Sequence, residues 1–432
     1  MLTRAVRAVA VDIGALRESP AFRRLWTGQL ISTIGRQITT VAVPYQVFLL
    51  TRSPLAVGAI GIAQAVPLIV VSIGAGPISD RFDRRRILIA TQIALAACSA
   101  LLAVGALSGH PAIAIIYVLV VLISALSALD YPARAAIIPN LVSRERLPGA
   151  LSLNFALYQA TFVAGPAIGG LVIARVGLSL AYLIDVATFA AALFAVIRLP
   201  AQPSTQEHHD PPLLAIKRGL QFARHQPVIL GGFAMDLCAM IFGMPRALFP
   251  VLAINTFHSG AQAVGLLYAA PGAGGLLGAL LTGWLQRFQR LGKVIVFAII
   301  IWGVAIIAFG FATSLWLAVV FLAVAGAADS LSAVCRTTIM QTIAPDELRG
   351  RLSALYLMVV NGGPYLGDLE AGAVASAWSV QISIVSGGAL CLVGLAVAAI
   401  AFPAVWLYRS RAPEGVVPVA GDVAAQAPEI AM

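Results

Sequence analysis

Charge is scarce in this chain. Charged side chains make up 11% of its 432 residues, whereas an ordinary soluble domain carries about 25%. Too little charge is available to clothe a water-exposed surface, so a soluble globular protein is excluded. Cysteine is sparse as well. The four cysteines, Cys98, Cys238, Cys335 and Cys391, all fall in apolar runs without metal-like spacing. They read as small packing residues, not as a disulfide framework or a metal site. The five histidines are scattered, and His208 and His209 sit in a polar linker. No His-Glu-x-x-His, no Gly-x-Ser-x-Gly and no Gly-x-x-x-x-Gly-Lys-Ser/Thr occurs. Those absences speak against a zinc hydrolase, a serine hydrolase and built-in nucleotide hydrolysis. No metal and no cofactor is expected, and the chain reads as a non-enzyme. Residues 1–21 are interrupted by Arg7, Asp12, Arg17 and Glu18, which leaves no clean apolar core for a signal peptide. Segment 5–20 could form a short amphipathic helix on a membrane surface.

What is present in excess is apolar sequence. Hydrophobic residues reach 60% and the mean hydropathy is +0.93. Apolar runs long enough to cross a hydrocarbon core of about 30 Å recur along the whole length. Twelve are predicted, near 22–50, 54–79, 86–108, 111–139, 150–175, 178–199, 226–256, 261–285, 293–312, 314–342, 351–377 and 379–407. Several exceed about 20 residues and are expected to tilt or kink. The polar stretch 200–225 divides them six and six. The expected organisation is a cytoplasmic segment 1–21, a six-helix bundle 22–199, a cytoplasmic linker 200–225, a second bundle 226–407 and a disordered cytoplasmic tail 408–432.

Lys and Arg fix the expected orientation. With the N-terminus inside, 22 of the 28 basic residues fall in inner segments, and only Arg52 and Arg175 fall in outer loops. That is a strong positive-inside bias. The net charge of +10 is thereby attributed to topology, and no nucleic-acid partner is expected. The protein is placed in the inner (plasma) membrane as a monomer, with both termini cytoplasmic and the lipid bilayer as its surroundings.

The densest charge lies in Gly76-Pro77-Ile78-Ser79-Asp80-Arg81-Phe82-Asp83-Arg84-Arg85-Arg86. Nothing so polar sits in lipid, so this is a tight loop between the second and third spans. A weak internal repeat accompanies it. Gly149-Ala150-Leu151-Ser152 returns as Gly350-Arg351-Leu352-Ser353, and Gly76 falls near Gly283, where Arg287, Arg290 and Lys293 follow without the acids. The fifth span carries Gly165-Pro166-Ala167-Ile168-Gly169-Gly170. Its proline kinks the helix and its glycines allow close helix approach.

The loop, the duplication and the two six-helix halves resemble the major facilitator superfamily of transporters. The Gly165, Pro166, Gly169 and Gly170 segment resembles that superfamily's antiporter motif, with Thr161 where a further glycine is usual. The resemblance implies an all-α membrane fold of twelve helices in two pseudo-symmetric bundles, with cargo held between the halves near the midplane. It also implies a cytoplasmic gate of Gly76, Asp80, Arg81, Arg84 and Arg85. Asp80 would approach the start of the eleventh span, where helix N–H groups stabilise a carboxylate. Asp83 departs from the pattern, which has glycine there, and offers the arginines a second local partner.

Ionisable groups inside a membrane normally face a cavity or a partner. Ten fall within the spans, and seven of them lie on spans one, four, seven and ten: Arg36, Asp130, Arg134, Asp236, Arg246, Asp329 and Arg336. In the major facilitator fold those four helices line the cavity. Gln29, Thr33, Arg36 and Thr40 form a stripe at helical spacing that reads as a cavity wall. Asp130–Arg134 and Asp329–Arg336 share helix faces and could equally be pairs that only hold helices together. Asp236 and Asp329 are the favoured proton carriers, with Glu370 next. Asp368 and Glu370 could instead belong to a gate. Asp185 stands alone.

A closer resemblance spans nearly the whole chain. Phe22-Arg23-Arg24-Leu25-Trp26, Val43-Pro44-Tyr45-Gln46-Val47, the Asp80–Arg85 loop, Leu267-Tyr268-Ala269-Ala270, Met340-Gln341-Thr342, Pro345 to Arg351, Gly362-Gly363-Pro364 and Gly367 to Gly372 are similar to enterobactin exporters. That family implies a small-molecule cargo, a catecholate siderophore, sent out of the cytoplasm by proton antiport. The competing expectation is a multidrug or macrolide exporter of the same fold. A membrane sensor without transport is a third.

Overall fold

The computed structural model describes residues 13–109, 111–202, 212–280 and 288–409. Among these residues every regular element is a helix. A lipid core offers no water to backbone N–H and C=O groups, so each segment satisfies its own backbone internally as a helix.

The spans are Pro20–Thr51, Pro54–Arg81, Arg84–Leu107 and Ile113–Leu141, then the two arms of Leu147–Ile197. The arms are separated at Gly177, whose φ of 80° breaks the helix. Next come Pro227–Phe242 with its continuation Phe249–Asn255, then Gly260–Leu280, Leu291–Gly310, Leu315–Ile343, Asp346–Ala377 and Val380–Ala401. Among the described residues nine helices are long and apolar enough to span by composition alone, and Leu147–Ile197 is one of them. Counting its two arms separately, and adding the more polar first and eleventh helices, gives the expected twelve spans.

Several helix starts are written locally. Pro54 opens the second span, and the Ser53 hydroxyl before it accepts the Ala56 N–H at 3.3 Å. Ser19, Ser314 and Ser379 cap the first, tenth and twelfth spans in the same way. The first span begins at Pro20, two residues before its predicted edge, and a short helix, Gly14–Glu18, precedes it. The seventh span departs from expectation most. It was expected to run unbroken over 226–256, but the helix stops at Phe242 and resumes through a 3-10 turn at Arg246–Leu248. Pro245 and Pro250 supply no backbone N–H, so a continuous ladder is impossible there.

Within each half the spans pack on one another, and across the halves the second meets the eleventh and the fifth meets the eighth. These meetings are intimate because of glycine. A methyl on Gly58 would stand 3.1 Å from the Gly372 Cα, and one on Gly170 would stand 2.8 Å from the Gly265 Cα. Such small residues let backbones touch. Both contacts lie toward the ends of the spans opposite the arginine-rich loop. Large apolar side chains such as Val104, Phe155, Phe194 and Val397 point outward.

Candidate functional site

In the N-terminal half, Asp130 and Arg134 lie one turn apart on the fourth span, and both are buried. The guanidinium donates from Nε to Oδ2 and from Nη2 to both carboxylate oxygens, all at 3.1 Å. Asp130 also accepts from Thr91 Oγ1 at 2.9 Å and Gln92 Nε2 at 2.8 Å. Both donors belong to the third span. The carboxylate is therefore saturated and ties two spans together.

Arg36 differs. Its Nε is buried without a hydrogen-bond partner, and the side chain makes no ion pair among the described residues. The expected polar stripe is only partly one surface. Gln29 donates to Asn154 Oδ1 of the fifth span at 3.0 Å, Thr33 is buried, and Thr40 is exposed. Asp185, solitary in sequence, accepts from Thr39 Oγ1 at 2.6 Å and Ser99 Oγ at 2.8 Å. It thus joins spans one, three and six. The signal that could have found it is the pair of hydroxyl residues on two apolar spans, but spacing cannot tell which spans touch.

The C-terminal half is arranged otherwise. Asp236 of the seventh span is completely buried, and its carboxylate lies 2.6 Å from Arg336 Nη1 of the tenth. Arg336 also approaches Asp329 at 3.5 Å and donates to Ser332 Oγ at 3.0 Å. Asp329 remains 37% exposed although it sits deep in the bundle. It faces a crevice lined also by Trp302, Ala239 and Ile299. The structure thus adds Asp236, from another helix, to the expected Asp329–Arg336 pair.

Arg246 does not join this cluster. The break in the seventh span carries it away, and Nη2 donates to Asp368 Oδ2 of the eleventh span at 2.9 Å. The other Asp368 oxygen accepts the Ala247 N–H at 3.0 Å, so the carboxylate caps the 3-10 turn. Tyr268 donates to the Arg246 carbonyl, and the guanidinium lies over the Tyr365 ring. Arg246, expected on a cavity-lining span with Asp236, is tied here to Asp368. Glu370 is half-buried and has no ion pair among the described residues.

The gate is described in part. The side chains of Gly76 and Asp80 lie outside the described residues, as do Gly283 and Arg287 of the weak repeat, His208 and His209, and the tail beyond residue 409. Arg81 is exposed. Arg84 donates to the Ala136 carbonyl and Arg85 to the Ile197 carbonyl. Among the described residues Asp83 serves backbone groups. It accepts the Arg85 N–H at 2.9 Å and the Gln202 N–H at 3.3 Å, capping the third span and holding the chain that leaves the sixth. In the fifth-span motif, Gly165 and Gly169 lie against Gln37 and Ile38 of the first span, while Gly170 lies against the eighth.

Twelve spans in two halves, with charges buried where the spans converge, define a membrane transporter of the major facilitator fold. Solved structures share it. A nucleoside transporter, NupG, is 14% identical with a TM-score of 0.67, covering 90% of this chain and 99% of its own. A bacterial homologue of the lysosomal transporter Spinster is 14% identical with a TM-score of 0.70, over 89% and 98%. At these identities the likeness shows the fold alone.

The sequence profile described as Transmembrane secretion effector matches residues 13–412, and the chain belongs to that family. It is a transporter and not an enzyme. A protein named Enterobactin exporter EntS from Citrobacter koseri is 29% identical over 389 residues, which is 89% of this chain and 92% of the relative. A protein of the same name from Escherichia coli O1:K1 is 28% identical over the same length.

Proposed function

We propose that this protein exports a siderophore of the enterobactin type across the inner membrane, driven by protons moving the opposite way. The observation that carries the reading is the likeness to enterobactin exporters over 389 residues. Arg36 is in keeping with it, because a cation without an ion-pair partner suits a cargo with acidic hydroxyls such as catechols. In this reading Arg36 faces the cargo from a wall of the N-terminal half that Gln29, Asp130 and Arg134 brace from behind. Asp236 and Asp329, beside Arg336, carry the proton. Arg246 and Asp368 close the outer side, with Glu370 in reserve. Gly76, Asp80, Arg81, Arg84 and Arg85 close the cytoplasmic side. The bundles run over 22–199 and 226–407, joined by the linker 200–225, with both termini cytoplasmic, as the Lys/Arg bias supports.

The test uses proteoliposomes with an imposed pH gradient and radiolabelled enterobactin, alongside a deletion strain. Gradient-driven enterobactin movement, and loss of siderophore secretion with unchanged macrolide sensitivity, are expected. Raised macrolide sensitivity with normal siderophore secretion would replace the cargo with a drug.

A further inference from the structure

The fourth and tenth spans are the same length, 29 residues each. Arg134 stands 21 positions after Ile113, and Arg336 stands 21 positions after Leu315. The two arginines are therefore equivalent members of the internal repeat. The residue four positions earlier is not conserved between the halves: Asp130 in one, Ser332 in the other. That replacement changes what each arginine can do.

Arg134 has its counter-ion on its own helix, and that counter-ion is fixed by Thr91 and Gln92. The pair is closed. Arg336 finds only a hydroxyl at the matching place, Ser332 Oγ at 3.0 Å. Its counter-ions are borrowed, one from the seventh span and one seven residues back on its own. Among the described residues Asp236 receives no well-angled hydrogen bond on either oxygen, and Arg336 is its ion-pair partner. Asp329 is partly open to the crevice. The Tyr356 hydroxyl of the eleventh span also reaches the guanidinium, while Trp302 of the ninth lines the crevice beside it. One cation cannot neutralise two carboxylates. The cluster carries a net negative charge until it takes up one proton, and two interacting acids then share that proton as a unit.

We propose that Arg336 is the movable tie of the transport cycle, passing between Asp236 on the seventh span and Asp329 on the tenth according to which carboxylate holds the proton. With the proton on Asp329, Arg336 binds Asp236 and clamps spans seven and ten. With the proton on Asp236, Arg336 falls back to Asp329 within its own helix, and the seventh span is released. The proton enters through the crevice at Asp329 and no covalent bond changes. Ser332 is the positioning residue, because its neutrality leaves Arg336 unsatisfied by its own turn. The inference rests on the ion-driven reading above.

The test recreates the N-terminal arrangement in the C-terminal half with Ser332→Asp, using Ser332→Asn as the neutral control of similar size. Spin labels at the exposed Leu237 and Val324 report the distance between spans seven and ten as pH is varied in nanodiscs. The wild type is expected to show two pH-dependent distances, Ser332→Asn to retain them, and Ser332→Asp to show one. In proteoliposomes Ser332→Asp should keep gradient-free exchange of enterobactin and lose about tenfold or more of pH-driven accumulation. A second variant, Asp329→Asn, adds no charge and should fix the short distance at every pH. A pH-insensitive wild-type distance, or a full pH response in Ser332→Asp or in Asp329→Asn, overturns the proposal. Wild-type protein that changes distance with pH yet moves no enterobactin refutes the cargo reading and leaves the tie standing.

Discussion

The two halves of the molecule carry the same arginine and treat it in opposite ways. In the N-terminal half, Arg134 and Asp130 sit one turn apart with two further donors on the acid. In the C-terminal half, Arg336 reaches to another helix for Asp236 and shares itself with a partly exposed Asp329. A buried pair whose carboxylate is fully hydrogen-bonded is a strut. Removing one partner strands a charge in a medium that cannot solvate it. A cation shared by two acids has an alternative partner at hand, so losing one acid strands nothing. The repeat carries the arginine in both halves, with Asp130 one turn before it in one and Ser332 in the other.

That contrast can be broken experimentally. Arg134→Met is expected to cost about 3–5 kcal/mol, because Asp130 would remain buried without its cation. A thermal melt of the purified protein in detergent should show the loss, and a melt unchanged from wild type would remove the strut. Asp236→Asn should melt close to wild type, since Asp329 still serves Arg336. Its pH-driven transport should nevertheless fall by about tenfold or more. Full pH-driven transport in proteoliposomes would move the proton carrier elsewhere.

The loops extend the comparison, since the acids of the Asp80–Arg86 loop are absent from its weak copy after Gly283. Asp80→Asn is expected to slow turnover several-fold with little change in folded yield, and wild-type rates would sink its place in the gate. Asp83→Ala should be the mildest change. It removes an N-cap worth about 1 kcal/mol and should lower the melting point slightly while transport persists. A large transport defect with an unchanged melt would give Asp83 a gating role instead.

Much of this could be read along the chain. The twelve spans were legible because hydrocarbon demands about 20 apolar residues per crossing. The first and eleventh were read as apolar runs like the others, although their own polar residues keep their helices below a simple apolar threshold. Asp130–Arg134 was legible because four residues make one helical turn. Asp329–Arg336 was legible at seven for the same reason, but only as half of its cluster. The break in the seventh span was missed because Gly243, Met244 and Pro245 sit within an apolar run. The Arg246–Asp368 link was not legible either, since it bridges 122 positions. Asp185 was missed because Thr39 and Ser99 lie on two other spans.

What the sequence determined by itself was therefore everything that lipid enforces locally. Backbone groups must be satisfied within each segment, which fixes helices, and apolar length fixes their number. What only the tertiary structure decided was which buried charges meet. Neutralising a charge in a low-dielectric interior is a demand on space and not on sequence separation. Asp236 satisfies it with an arginine 100 positions away, while Asp130 satisfies it one turn along.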